Sequence, residues 1–184
     1  VVMCAFLAIA DKNFYSYSNI MSIFKQTAFN AFLAVGMLLC LITAGIDLSV
    51  GANAIFCACI CGMLVKSGIS NAILLVVVDF GCGTLIGLIN GTLLSRLHLP
   101  HPFVSTLGMK NVLWGAALYV TGSQMISFNG ADGIMWLGSS DIMGVPSCFI
   151  LVVIIYIILH ILLTRTALGR SIYCAGVNME ATRL

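Results

Sequence analysis

The sequence predicts an all-α fold, a polytopic membrane bundle of about six spans in which some helices are broken. Three observations carry this. Hydrophobic residues make up 61% of the 184 and charged residues only 8%, with a mean hydropathy of +1.13, so the apolar surface is too large for one water-surrounded core. Residues 26–65 hold a single charge, Asp47, over a stretch that two membrane spans of about 20 residues each would occupy. Residues 146–163 contain no Asp, Glu, Lys or Arg, whereas a buried strand runs for about 4 to 8 residues. That length decides against the competing soluble α/β reading, which the β-branched runs 74–78 and 150–158 would otherwise suit.

Apolar length between breaks places spans at 1–10, 27–44, 50–65, 72–94, 102–120 and 146–163. The first is about half a span and lacks the basic start and small-residue cleavage pattern of a signal peptide. It reads as the end of a helix, and the chain as a fragment of one transmembrane domain covering 1–184. The interval 122–145 carries Asp132 and Asp141 but no lysine or arginine, while 164–184 carries Arg165, Arg170 and Arg183. The positive-inside tendency puts the second in the cytoplasm and the first outside. Alternation then places the Asp47 turn and residues 96–101 inside, and 11–26 and 66–71 outside. Lys110 falls within a span, near its cytoplasmic third, where it can snorkel or line an ion path.

The run GIDLSVG, residues 45–51, joins the second and third spans. An acid at membrane depth is costly and marks function by default. Gly45 and Gly51 are expected to let the backbone leave helical geometry there. Asp47 is expected to hold the junction by accepting hydrogen bonds from nearby amides or from Ser49. Asp79 and Asn90 lie in the fourth span. Asp79 fits a polar pathway and plain solvation near the outer boundary equally well. Asn90 fits a helix cap or an interhelical link better than a ligand contact. Gly83, Gly87 and Gly91 recur every four residues and form a flat stripe, suited to packing within the chain or against a second copy. Pro100 and Pro102 start the fifth span, with Ser105 and Thr106 one turn inside. Hydroxyls at a helix N-terminus bind polar ligand groups or neighbouring helices.

The eight cysteines lie mostly within apolar segments and read as small hydrophobes. Cys57 and Cys61 share a helix face, but a soft-metal site there lacks a nearby histidine, and His98 and His101 read as solvated loop residues. No cofactor is implied, and a net charge of +2 gives no sign of nucleic-acid binding. Residues 166–184, TALGRSIYCAGVNMEATRL, are amphipathic and more polar than the preceding chain. Gly169 is expected to turn the chain from the last span, Gly176 to interrupt the next stretch, and Asn178 to cap a short helix. The segment serves either as an interfacial membrane helix or as a docking element for a cytoplasmic partner.

GIDLSVG, then GLINGTLLSRLHLPHPFVSTLGM at 87–109, then TALGRSIYCAGVNMEATRL, in this order, resemble the permease subunits of bacterial ABC importers for ribose, xylose, arabinose, allose and similar monosaccharides. The resemblance runs from about Asn19 onward. It implies a pore in the inner membrane made by two permease subunits, a homodimer embedded in lipid. Cytoplasmic ATP-binding subunits would energise it and a periplasmic sugar-binding protein would feed it. It also implies an ATPase-coupling loop at Gly169, Arg170, Gly176, Asn178, Glu180 and Arg183. Val177 and Thr182 depart from the family's glycine and alanine there, each adding bulk. Such a permease performs no covalent chemistry. Two other classes remain: an ion-coupled secondary transporter, which needs an inverted repeat, and an intramembrane aspartyl enzyme using Asp47 and Asp79 as an acid and base pair.

Overall fold

The computed structural model describes residues 2–96 and 102–177. The chain forms α1 (Val2–Ala10), a short 3-10 turn (Lys12–Tyr15), α2 (Tyr17–Ile42), α3 (Val50–Lys66), α4 (Ala72–Arg96), α5 (Pro102–Thr121), α6 (Asp132–Ser139), the strands β1 (Asp141–Ile142) and β2 (Val145–Pro146), α7 (Ser147–Arg165) and α8 (Ala167–Val177). It is an all-α helix bundle with one two-stranded hairpin. Among the described residues, α2, α4 and α7 are long and apolar enough to cross a membrane. The helix α3 is apolar but has 17 residues, about 26 Å at 1.5 Å per residue, and α5 has the length but carries Ser105, Thr106, Lys110 and Asn111.

Two helix boundaries differ from expectation. The helix α2 starts at Tyr17, ten residues before the apolar run, because Ser16 caps it: its hydroxyl accepts from the Asn19 amide at 3.3 Å. The polar interval 122–145 is not simple loop. Asp132 sits in the first turn of α6, where the helix dipole favours an acid. Asp141 pairs with Pro146 and Ile142 with Val145 across a two-residue turn, Met143 and Gly144, both at positive φ (52° and 83°).

Helix directions follow from the contacts. Phe24 packs edge-on against Phe149 with ring centroids 4.9 Å apart, and the Tyr156 hydroxyl donates to the Ala31 carbonyl at 3.3 Å, so α2 and α7 run parallel. Asn53 reaches the Gly83 carbonyl and Cys61 the Leu75 carbonyl, each at 3.5 Å, so α3 and α4 run antiparallel. Ala52 shares a core with Leu113, while Ala58 lies beside Ala117 and Leu118 further along, so α3 and α5 run parallel. The loops at 43–49 and 166 therefore share one end of the bundle. Those at 11–16, 67–71 and 122–146 share the other, where Lys25 donates to the Ser139 carbonyl at 3.3 Å and pairs with Asp141 at 3.6 Å. This pair is about half-exposed and contributes little stability.

Two small cores form around α3 and α4, the first with α5 and the second with the residues leading into α6. Ala52, Cys57, Ile86 and Leu113 form one, and Cys61, Val65, Leu75 and Ala131 the other, nearer the end that carries α6. Much of the remaining surface of α4 and α7 is apolar and exposed, including Leu85, Leu88, Ile154, Ile157 and Ile161. A patch of this size suits lipid or another protein, not water. The two ends make a direct expectation: in a cysteine-free full-length protein, single cysteines at Ser139 and Ser171 react with an impermeant thiol reagent from opposite sides of the membrane. Labelling of both from outside would overturn the arrangement.

Candidate functional site

The residues singled out in the sequence converge mainly at the 43–49 end. The helix α2 closes there with a left-handed turn: the Ala44 amide donates to the Leu41 carbonyl at 3.1 Å and the Gly45 amide to the Cys40 carbonyl at 2.9 Å. The residue at positive φ is Ala44, at 58°, and not Gly45. This corrects the expectation placed on the glycines. The Gly45 amide can reach Cys40 only if the preceding residue turns left-handed, and Gly51 lies inside the first turn of α3.

Asp47 then organises the start of α3. Its Oδ1 accepts from the Ser49 amide at 2.7 Å and the Ser49 hydroxyl at 2.6 Å, the two donors expected for it. Because the Ser49 hydroxyl is committed to Asp47, it does not cap the α3 N-terminus. It accepts instead from the Asn90 side-chain amide on α4, at 2.8 Å. On α5, the Thr106 hydroxyl lies 3.3 Å from the Ile46 carbonyl and 3.0 Å from the Pro102 carbonyl. Asp47, Ser49, Asn90 and Thr106 thus join α3, α4 and α5 in one polar junction. Ser49 and Thr106 are each 1% exposed and Asn90 6%, so water does not compete for the Asn90–Ser49 bond, while Asp47 is half-buried. Two buried oxygens nearby in sequence, Asn90 Oδ1 and Ser105 Oγ, have no hydrogen-bond partner among the described residues.

Asp79 is not part of this junction. It lies eleven residues before Asn90 on α4, about 16 Å along the helix axis, and its residue is exposed. The carboxylate pair that the intramembrane enzyme reading required is therefore not assembled around Asp47. The glycine stripe also divides: a methyl group at Gly83 would lie 3.8 Å from the Cys57 sulfur, while at Gly87 and Gly91 it would meet nothing within 4 Å among the described residues. Of the three stripe glycines, only Gly83 packs against a neighbouring helix among the described residues.

Asn53 was not singled out from the sequence. It lies one turn after Ser49, bonds the Gly83 carbonyl and accepts from the Cys57 thiol at 3.3 Å. Its signal was present: a carboxamide four residues after Ser49, on the same face of an otherwise apolar helix.

At the same end as the junction, α7 gives way to α8 at Thr166, not at Gly169 as the sequence suggested. The Thr166 hydroxyl accepts from the Gly169 amide at 3.1 Å and so caps α8. Gly169 is buried, and a side chain there would overlap the Leu162 and Leu163 carbonyls. Gly176 was expected to interrupt this stretch, and the described residues end one position beyond it, at Val177. Gly176 lies within α8, where a Cβ would overlap the Ile42 carbonyl at the end of α2. Both glycines fasten α8 to its own chain, while Leu168, Arg170 and Tyr173 remain exposed. Asn178, Glu180 and Arg183 lie outside the described residues, as do His98 and His101.

Residues 19–184 match the family described as the branched-chain amino acid transport system / permease component. The chain belongs to this family. Among curated relatives of the permease, the ribose import permease protein of Escherichia coli K12 is 32% identical over all of this chain and 58% of its own length. The ribose import permease protein of Bacillus subtilis is 33% identical over 98% of this chain and 56% of its own length. The galactofuranose transporter permease protein of Escherichia coli K12 is 36% identical over 88% of this chain and 46% of its own length. The permease chain therefore spans a little over half the length of the ribose relatives. No solved structure matches it.

Proposed function

We propose that this chain forms part of the pore subunit of an ATP-driven importer that moves a monosaccharide of the ribose or allose type across the bacterial inner membrane. It works as a homodimer of permease subunits, with a cytoplasmic ATP-binding subunit and a periplasmic sugar-binding protein. One observation carries the substrate class: relatives whose names specify ribose import match nearly the whole chain. The fold supports the mechanism. The helix α8 is clamped by backbone contacts to α2 and α7 and presents Arg170 and Tyr173 outward, as a rigid handle for a partner requires. The ATP is hydrolysed by the partner, and the permease makes and breaks no bonds in its cargo. The polar junction holds α3, α4 and α5, and Asp79 lies on the pathway face of α4, because an exposed acid at membrane depth is stable only against water or protein.

The family description specifies branched-chain amino acids, so the decisive assay must compare the two substrate classes. The full-length protein, its ATP-binding subunit and its binding protein are placed in liposomes with labelled ribose, allose or leucine. ATP-dependent accumulation of a sugar but not leucine is expected. Uptake driven by a proton or sodium gradient without ATP would replace this reading with a secondary transporter. Arg170→Glu should insert normally yet lower both co-purification of the ATP-binding subunit and uptake by at least tenfold, because it reverses charge on the exposed face of α8.

A further inference from the structure

We infer that Ser49 is the positioning residue through which displacement of α8 reaches α4. This inference rests on the proposed role of α8 as the handle of an ATP-driven importer. The observations behind it are all contacts of this chain.

The path begins where Gly176 of α8 meets the Ile42 carbonyl, backbone against backbone. Such a contact has no flexible side chain to absorb movement, so a shift of α8 toward α2 is passed to the end of α2. That end is stiff, being closed by the Ala44 and Gly45 amide bonds to Leu41 and Cys40. Four residues after Ala44 the short turn reaches Leu48 and then Ser49, and Asp47 fixes Ser49 through both its amide and its hydroxyl. Ser49 in turn holds Asn90 of α4, and the Ile46 carbonyl in the same turn receives Thr106 of α5.

Two packed groups of helices meet at this turn, and they also touch where α2 lies on α3 and, at the other end, through α6. The helix α2 packs with α7 and α8, and α3 packs with α4 and α5. The segment 43–49 connects the groups covalently, and Ser49 is where its polar bonds leave it for α4. The Ser49–Asn90 bond is buried, and the part-buried Asp47 bonds are charge-assisted, the stronger class. Moving Ser49 without moving Asn90 would leave a buried amide donor unpaired, so the two helices travel together. A contiguous set of contacts of this kind becomes a coupling route only when its members act non-additively, which sets the form of the test.

Full-length protein is assembled in liposomes with its ATP-binding and sugar-binding subunits, and sugar accumulated per ATP hydrolysed is measured. Ser49→Ala and Asn90→Ala each remove the α3–α4 bond from a different side. Each is expected to retain the ATP-binding subunit on purification and to lower the ratio at least fivefold. The double variant should be no worse than the more affected single variant, because both remove one bond. A normal ratio in either folded single variant overturns the inference, as does an additive double variant. If Ser49→Ala does not assemble, Asn90→Ala decides alone, since it leaves the Asp47 turn intact. Loss of ATP-dependence in the unmodified protein would instead defeat the importer reading, so the two failures are distinct.

Discussion

Asp47→Leu should destabilise the full-length protein by about 2 to 5 kcal/mol, while Asp47→Asn should cost about 1 kcal/mol. Leucine leaves the Ser49 amide and hydroxyl without their acceptor, and each unpaired buried donor costs about 1 to 3 kcal/mol. Ser49 is only 1% exposed, so water cannot take the acceptor's place without opening the junction. Asparagine keeps an oxygen in the same position and loses only the charge assistance, which roughly doubles the strength of a hydrogen bond. Greater burial of the leucine side chain offsets part of its loss, but at about 25 cal/mol per Å² this is the smaller effect for a residue already half-buried. Unfolding of the detergent-purified protein, followed by circular dichroism against denaturant, gives the order. Equal midpoints for leucine and the unmodified protein, together with normal uptake, would make Asp47 dispensable.

The contrast between Asp47 and its wider surroundings shows what the sequence could reveal. The bond from Asp47 to Ser49 spans two residues, so local spacing alone makes it legible. The bond from Ser49 to Asn90 spans 41 residues, and its existence depends on how α3 lies against α4. No local pattern contains that angle. The glycine stripe fails for a similar reason: a period of four declares a flat face, but not which neighbour covers it, and only Gly83 meets α3. Helix limits were legible where an apolar run ended at glycine, proline or a charge. Expected spans 50–65, 72–94, 102–120 and 146–163 fall within two residues of α3, α4, α5 and α7. The start of α2 was hidden because Ser18, Asn19, Ser22 and Lys25 are polar, and hydropathy does not register a cap. The helix α6 and the hairpin were hidden because they are short and rest on turn geometry at Met143 and Gly144.

Gly176 shows the same limit, since a glycine's cost to a helix is a local property whereas its approach to the Ile42 backbone is set by how α8 lies on α2. That approach gives the second large effect. A methyl group at position 176 would overlap the Ile42 carbonyl oxygen, with the carbonyl carbon 3.0 Å and Thr43 Cα 3.4 Å away. All three are backbone atoms at a helix end held by the Ala44 and Gly45 amides, so they cannot rotate aside. Alanine should gain about 1 kcal/mol of helix propensity and meet about 1 to 3 kcal/mol of overpacking. The resolution that minimises both is an intact α8 lifted off α2. Hydrogen–deuterium exchange should then rise at least tenfold at the amides of α2's last turn, residues 39–42, while α8 keeps its own helical protection. Gly87→Ala serves as the comparison, because it adds the same methyl group to a helix position with nothing within 4 Å. In the monomeric chain it should leave exchange unchanged or slower. If Gly176→Ala behaves like Gly87→Ala, the end of α2 tolerates the methyl group and α8 is not clamped there. The backbone contact that lets α8 act as a rigid handle would then be absent.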